Sequence, residues 1–141
     1  MPITTADVLY TATATAENGR DGRVATDDGR LDVVVNPPRE MGGSGAGTNP
    51  EQLFAAGYSA CFQGALGVVA RNEGLDVSGA TVTAEVGIGR GEDGFGIRVA
   101  ITARIPALDP AAARDLVARA HQVCPYSKAT RGNIEVTLDV R

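Results

Sequence analysis

Hydrophobic and polar positions alternate with period two from Val8 to Glu17. Val8, Tyr10, Ala12, Ala14 and Ala16 fall on one face, Leu9, Thr11, Thr13 and Thr15 on the other. That alternation, rich in Thr, predicts a strand. Asn18-Gly19-Arg20-Asp21-Gly22 reads as a turn, Arg23–Thr26 as a second strand, Asp27-Asp28-Gly29 as a turn and Leu31–Val35 as a third strand. Pro37-Pro38 stops this meander, and the glycine-rich stretch Met41–Gly47 reads as a flexible connection. Two longer alternating runs, Ala80–Arg90 and Phe95–Ile105, flank Gly91-Glu92-Asp93-Gly94 as a hairpin, and Ile134–Val140 alternates as a last strand.

The period changes at Asn49. Asn49 suits an N-cap, Pro50 the first helical position, Gln52 the third position of a capping box, and Glu51 the positive end of the helix dipole. From Leu53 to Ala70 nearly every residue is apolar or small, which predicts a central helix buried on all sides. Gly57, Gly64 and Gly67 each cost such a helix about 1 kcal/mol against Ala, and close packing of other backbones is the simplest compensation. A second helix is expected from Pro110 to about Val123, capped by Asp109, with Ala113, Leu116, Val117 and Ala120 on its apolar side. Strands grouped in hairpins and kept apart from helices predict an α+β fold with antiparallel sheets.

Composition narrows the picture. The 141 residues suit a single domain, 1–141, with 43% hydrophobic residues, only 4% aromatic and no Trp, so Val, Ala, Leu and Ile must build the core. A net charge of −4 supplies no basic stripe for nucleic acid. No signal peptide is evident, and Tyr58, Ser59, Gln63 and several glycines break the one long apolar run, so a cytoplasmic protein without a membrane span is expected. The glycine-rich loop lacks the lysine of a phosphate-binding loop and follows no strand directly, which argues against a nucleotide site.

Candidate chemistry rests on two cysteines. Cys61 lies inside the apolar helix and Cys124 follows the second helix, just before Pro125. In a reducing compartment they are inert core residues or a redox pair, and spacing alone does not decide. His121 and Cys124 have no companion ligands with zinc spacing, so no metal site is expected. A reactive thiol needs a cation or a helix N-terminus to become a thiolate; Arg20, Arg23 and Arg131 are the arginines of interest. Glu51 alone reads as a first-turn acid, Arg20 as a solvated charge, and His121 and Tyr126 as ordinary polar groups.

The segments Gly47–Phe62 (GTNPEQLFAAGYSACF) and His121–Ile134 (HQVCPYSKATRGNI) closely resemble the organic hydroperoxide resistance (Ohr) proteins of the OsmC/Ohr superfamily. Arg20-Asp21-Gly22-Arg23 and the glycine pairs around Ile88 and Phe95 are similar too, and Val-Cys-Pro-Tyr-Ser favours Ohr over its OsmC relatives. Asn18, where a second Gly is common, and Lys128, where Asn is common, are small departures.

The resemblance implies an OsmC-like intertwined homodimer. It also implies a thiol peroxidase that reduces organic and fatty-acid hydroperoxides. Cys61 matches the peroxidatic cysteine, Cys124 the resolving one, Arg20 the arginine holding the thiolate and Glu51 the residue orienting that arginine. It implies no bound cofactor; the reductant is a dithiol such as lipoamide on a lipoylated protein. Glu51 and Cys61 stand ten positions apart on one helix, about 15 Å along its axis, so the Arg20–Glu51 pair is expected from a second subunit. Two other readings compete: a non-enzymatic module for apolar ligands with structural cysteines, and a redox sensor that signals through its disulfide.

Overall fold

The computed structural model describes Thr4 and Asp7–Arg141. The chain divides into two compact units, Met1–Pro50 and Glu51–Arg141.

The first unit is an antiparallel meander of β1 (Ala14–Glu17), β2 (Gly22–Thr26) and β3 (Asp32–Val35), in that spatial order. The alternating run from Val8 therefore becomes strand only from Ala14 onward. β2 offers partners to Ala14–Glu17 alone, and Val8, Leu9 and Tyr10 stay at least 69% exposed. Arg23 and Asp32 join β2 to β3 through a fork of two 2.7 Å hydrogen bonds. The glycine-rich connection is tightly folded rather than slack. A Cβ on Gly43 would lie 2.1 Å from the Pro37 carbonyl oxygen, and one on Gly47 would lie 2.5 Å from that of Val34. Here the glycines serve close backbone approach. Thr48 closes the loop, its N–H donating to Val34 O and its carbonyl accepting from Asn36 N, both at 2.9 Å.

The second unit holds α1 (Pro50–Glu73) from its second residue onward, β4 (Thr81–Gly91), β5 (Gly94–Arg104), α2 (Pro110–Val123), α3 (Pro125–Thr130) and β6 (Val136–Val140). β4 and β5 form the expected hairpin, with Gly91 opposite Gly94 across a two-residue turn. β6 corrects the all-antiparallel expectation, because it lies beside β5 and runs parallel to it. A parallel neighbour needs a long crossover, and α2 with α3 provides it. Val99 and Ile101 of β5, Leu116 and Val117 of α2, and Tyr58, Phe62 and Leu66 of α1 share one core. Asp109 caps α2 by accepting from Ala112 N at 2.8 Å, and all four predicted apolar positions of α2 are buried.

α1 departs from its expected burial on all sides. Tyr58, Phe62, Ala65, Leu66 and Ala70 form one buried stripe, while Ala56, Ala60, Gly64 and Val68 are exposed. It also departs from the expectation that no segment reaches membrane-span character. Its 24 residues contain an 18-residue window with a mean hydropathy of 1.5, long and apolar enough to cross a membrane by length and composition alone. The buried stripe, set into the core of the second unit, accounts for part of that apolarity, with 28% of the window buried.

Candidate functional site: a thiol pair between helices

Cys61 sits midway along α1, three residues after the buried Tyr58 and one before the buried Phe62. Cys124 is the single residue between α2 and α3. Pro125 begins α3 and excludes helical geometry from the residue before it; accordingly Cys124 has φ −59° and ψ 123°. Its backbone is still bonded on both sides: its N–H donates to Ala120 O at 2.8 Å and its carbonyl accepts from Lys128 N at 3.0 Å. The joint is therefore sharp and fixed, and the Cys124 side chain is fully buried.

The two sulfurs lie 3.6 Å apart and both thiols are free. A disulfide bond is about 2.05 Å long, so closure needs an approach of about 1.5 Å. Sixty-three residues separate the two cysteines in sequence; the packing of α1 against the α2–α3 joint brings them together. Burial pushes the Cys61 thiol above its ordinary value, the Tyr126 backbone N–H draws it down, and the adjoining Cys124 thiol pushes it up again.

Behind the sulfurs lies a polar network that sequence reasoning did not find. The Tyr58 hydroxyl meets Ser127 Oγ at 2.9 Å and Thr130 Oγ1 at 3.0 Å, and His121 Nδ1 meets Ser127 Oγ at 2.8 Å. His121 thus has a partner, where the sequence offered none. Burial lowers its pKa, and Arg131 adds to the effect. The ring of Tyr58 also packs with those of Phe54 and Tyr126, at centroid distances of 6.1 and 5.7 Å. Gly57 makes room for this cluster: a Cβ there would stand 3.0 Å from the Tyr126 hydroxyl oxygen. The one available signal was spacing, since Tyr58 precedes Cys61 by three residues and Ser127 follows Cys124 by three.

Arg23 is held by Asp32, and Arg131 donates to the His121 carbonyl at 2.9 Å across the end of α2. Arg20 lies in the β1–β2 turn of the first unit. That turn is pinned: Asn18 donates to the Asp21 carbonyl at 2.7 Å, and Asn36 donates to the Asp21 carboxylate at 2.7 Å. Asn18 takes φ 62° there, a left-handed conformation that Asn tolerates well, which explains an Asn at this position. Glu51 occupies the first turn of α1. The unbroken α1 keeps Glu51 and Cys61 about 15 Å apart along its axis.

Among the described residues no three His, Cys, Asp or Glu side chains gather as a metal site. A trough of about 560 Å³ follows the β4–β5 hairpin from Gly87 to Arg98, and neither thiol lines it.

Fold and site together define an α+β protein built round a pair of free thiols in contact. Residues 42–139 match the family model described as OsmC-like protein. The chain is 55% identical over 133 residues to an organic hydroperoxide resistance protein of Xanthomonas axonopodis pv. citri, covering 93% of this chain and 94% of the relative. The crystal structure of OhrB of Bacillus subtilis superposes with a TM-score of 0.88 at 43% identity, over 95% of this chain and all of that one. An organic hydroperoxide resistance protein from Elizabethkingia anophelis gives a TM-score of 0.89 at 52% identity, over 94% and 96%. The chain belongs to the OsmC-like family and has the α+β fold of its organic hydroperoxide resistance members.

Proposed function

We propose that this protein is a thiol peroxidase that reduces organic and fatty-acid hydroperoxides to alcohols and so protects against oxidative stress. The observation that carries the reading is the 3.6 Å contact between the Cys61 and Cys124 sulfurs. The names of its relatives point to the same substrate class.

In the proposed reaction the Cys61 thiolate attacks the distal peroxide oxygen. The O–O bond breaks, the alkoxide leaves and takes a proton as the alcohol, and Cys61 becomes a sulfenic acid. The Cys124 thiol then attacks the Cys61 sulfur; water leaves and a disulfide forms. A dithiol such as lipoamide on a lipoylated protein reopens it by two exchange steps, ending as its own cyclic disulfide. No bound cofactor enters this sequence.

A thiol that burial has raised needs help to ionise. The Tyr126 amide supplies part of it, and we assign the rest to Arg20, oriented by Glu51. The span of α1 argues that this pair comes from a second copy in an intertwined homodimer. The exposed stripe Ala56, Ala60, Gly64 and Val68 supports that assembly. A Cβ at Gly64 or Gly67 would meet nothing within 4 Å in one copy, so these glycines lack a packing reason until another helix arrives. We place the protein in the cytoplasm, where its thiols stay reduced between turnovers.

The test is oxidation of the reduced protein with one equivalent of tert-butyl hydroperoxide, followed by peptide mapping. The expected product is a Cys61–Cys124 disulfide that dihydrolipoamide reverses faster than glutathione does. Unmodified thiols after treatment would overturn the reading.

A further inference from the structure

Tyr58 lies one helical turn before Cys61 on α1, and Ser127 lies one turn after Cys124 on α3. The Tyr58–Ser127 hydroxyl contact at 2.9 Å and the sulfur contact at 3.6 Å are thus two neighbouring rungs between the same pair of helices. The polar rung is dry: Tyr58 and Ser127 are fully buried and Thr130 is 5% exposed. It is fastened on both sides. Thr130 Oγ1 holds the phenol at 3.0 Å, and His121 Nδ1 ties Ser127 to the last turn of α2 at 2.8 Å.

Buried hydroxyls cost more than apolar groups of the same shape unless every one is bonded. Here each can be. With its proton on Nδ1, His121 donates to Ser127, which leaves Ser127 to donate to Tyr58, Tyr58 to Thr130, and Thr130 to the Ser127 carbonyl at 3.3 Å. An apolar pair at positions 58 and 127 would pack without that requirement, so the network calls for a reason beyond core filling.

The neighbouring rung supplies one. A thiol–thiol contact is too weak to hold two helices in register. Yet the sulfurs must close by about 1.5 Å on oxidation and part again on reduction. A misplacement of about 1 Å at such a centre costs on the order of 100-fold in rate.

We propose that Tyr58 and Ser127 are positioning residues for the condensation of oxidised Cys61 with Cys124, holding the α2–α3 joint still while the sulfurs move. This rests on the peroxidase reading above. Their role falls on the second step, not on peroxide attack. Once formed, the Cys61 sulfenic acid has two fates. It condenses with Cys124, releasing water, or it meets a second hydroperoxide, releasing alcohol and ending as a sulfinic acid. The hydroperoxide concentration that sends half of Cys61 to sulfinic acid therefore measures the condensation rate against over-oxidation.

The experiment titrates reduced wild type, Tyr58→Phe, Ser127→Ala and the double variant with tert-butyl hydroperoxide, and counts disulfide and sulfinic acid by mass spectrometry. Tyr58→Phe keeps the ring packing. Ser127→Ala removes one atom and reads the same bond should Tyr58→Phe not fold. The expected result is a half-point lowered roughly 10- to 100-fold in each single variant, with the double variant falling short of the product of the two, because both break the shared Tyr58–Ser127 bond. Folded variants that melt earlier but keep the wild-type half-point would overturn the assignment and leave a merely structural network. Wild type that forms no Cys61–Cys124 disulfide would instead fail the peroxidase reading itself.

Discussion

Replacing Cys124 with Ala separates the two sulfurs' roles. Cys124 is fully buried in the core of the second unit, so removing its sulfur leaves a small cavity. By analogy with single-methyl truncations this costs about 1 kcal/mol, well within the 5–15 kcal/mol by which domains are usually stable. The variant should fold. Its effect on chemistry is larger, because Cys124 is the sulfur 3.6 Å from Cys61. Wild type should lose two thiols per equivalent of hydroperoxide and stop at a disulfide. Cys124→Ala should lose one, trap dimedone at Cys61, and pass to sulfinic acid under excess peroxide. The first step should not slow, since the Cys124 thiol is one of the groups that push the Cys61 thiol up; its removal favours the thiolate. Thiol titration with stopped-flow mixing reads both steps. Sustained wild-type turnover in Cys124→Ala, without sulfinic acid, would rule out Cys124 as the resolving sulfur.

Gly64→Ala tests the second copy. In a free helix face it should stabilise by up to about 1 kcal/mol, whereas a second α1 packed on that face should turn the change into weakened association, read by sedimentation and thermal melting at several concentrations. Arg20→Ala should raise the Cys61 thiol further and slow peroxide attack at neutral pH, and iodoacetamide alkylation across pH should show its midpoint moving upward. Burial and Arg131 hold His121 below its ordinary pKa, so the unfolded chain binds that proton more readily. The stability contributed by neutral His121 is complete above about pH 6.5 and is lost as pH falls toward the lowered value. Denaturant melts from pH 8 to 5 should show this slope, and His121→Gln should flatten it. Arg119→Ala breaks partly exposed ion pairs with Glu73 and Asp115; the expected cost is about 0.5–1 kcal/mol, measured by urea unfolding.

Much of this molecule is legible from residue order. Alternation located the β4–β5 hairpin, and Asp109-Pro110 with four spaced apolar residues located α2, because local chemistry and tertiary packing agree there. Val8–Thr13 alternates equally well and forms no strand, since a strand also needs a partner and β2 is too short to give one. α3 escaped notice because its six residues, Pro125–Thr130, are too few to show a period. Parallel pairing of β6 is invisible to alternation, which reports faces and not direction. At the site, motif resemblance picked out both cysteines, yet the 3.6 Å contact depends on how α1 packs against a joint 63 residues away. The Tyr58–Ser127–His121 network was missed for the same reason: each residue is ordinary alone, and only the packed helices give it partners.

The proposed chemistry turns on a Cys61 thiolate that meets organic hydroperoxides in apolar surroundings. Its most direct test is rapid mixing of the reduced protein with a fatty-acid hydroperoxide and, separately, with hydrogen peroxide, wild type beside Cys61→Ser. If about four methylenes of the lipid substrate are buried at about 0.8 kcal/mol each, that substrate is favoured by about 200-fold. A preference of that order is expected in wild type, and no reaction of either peroxide in Cys61→Ser. Equal rates for the two peroxides, or undiminished reaction in Cys61→Ser, would contradict it.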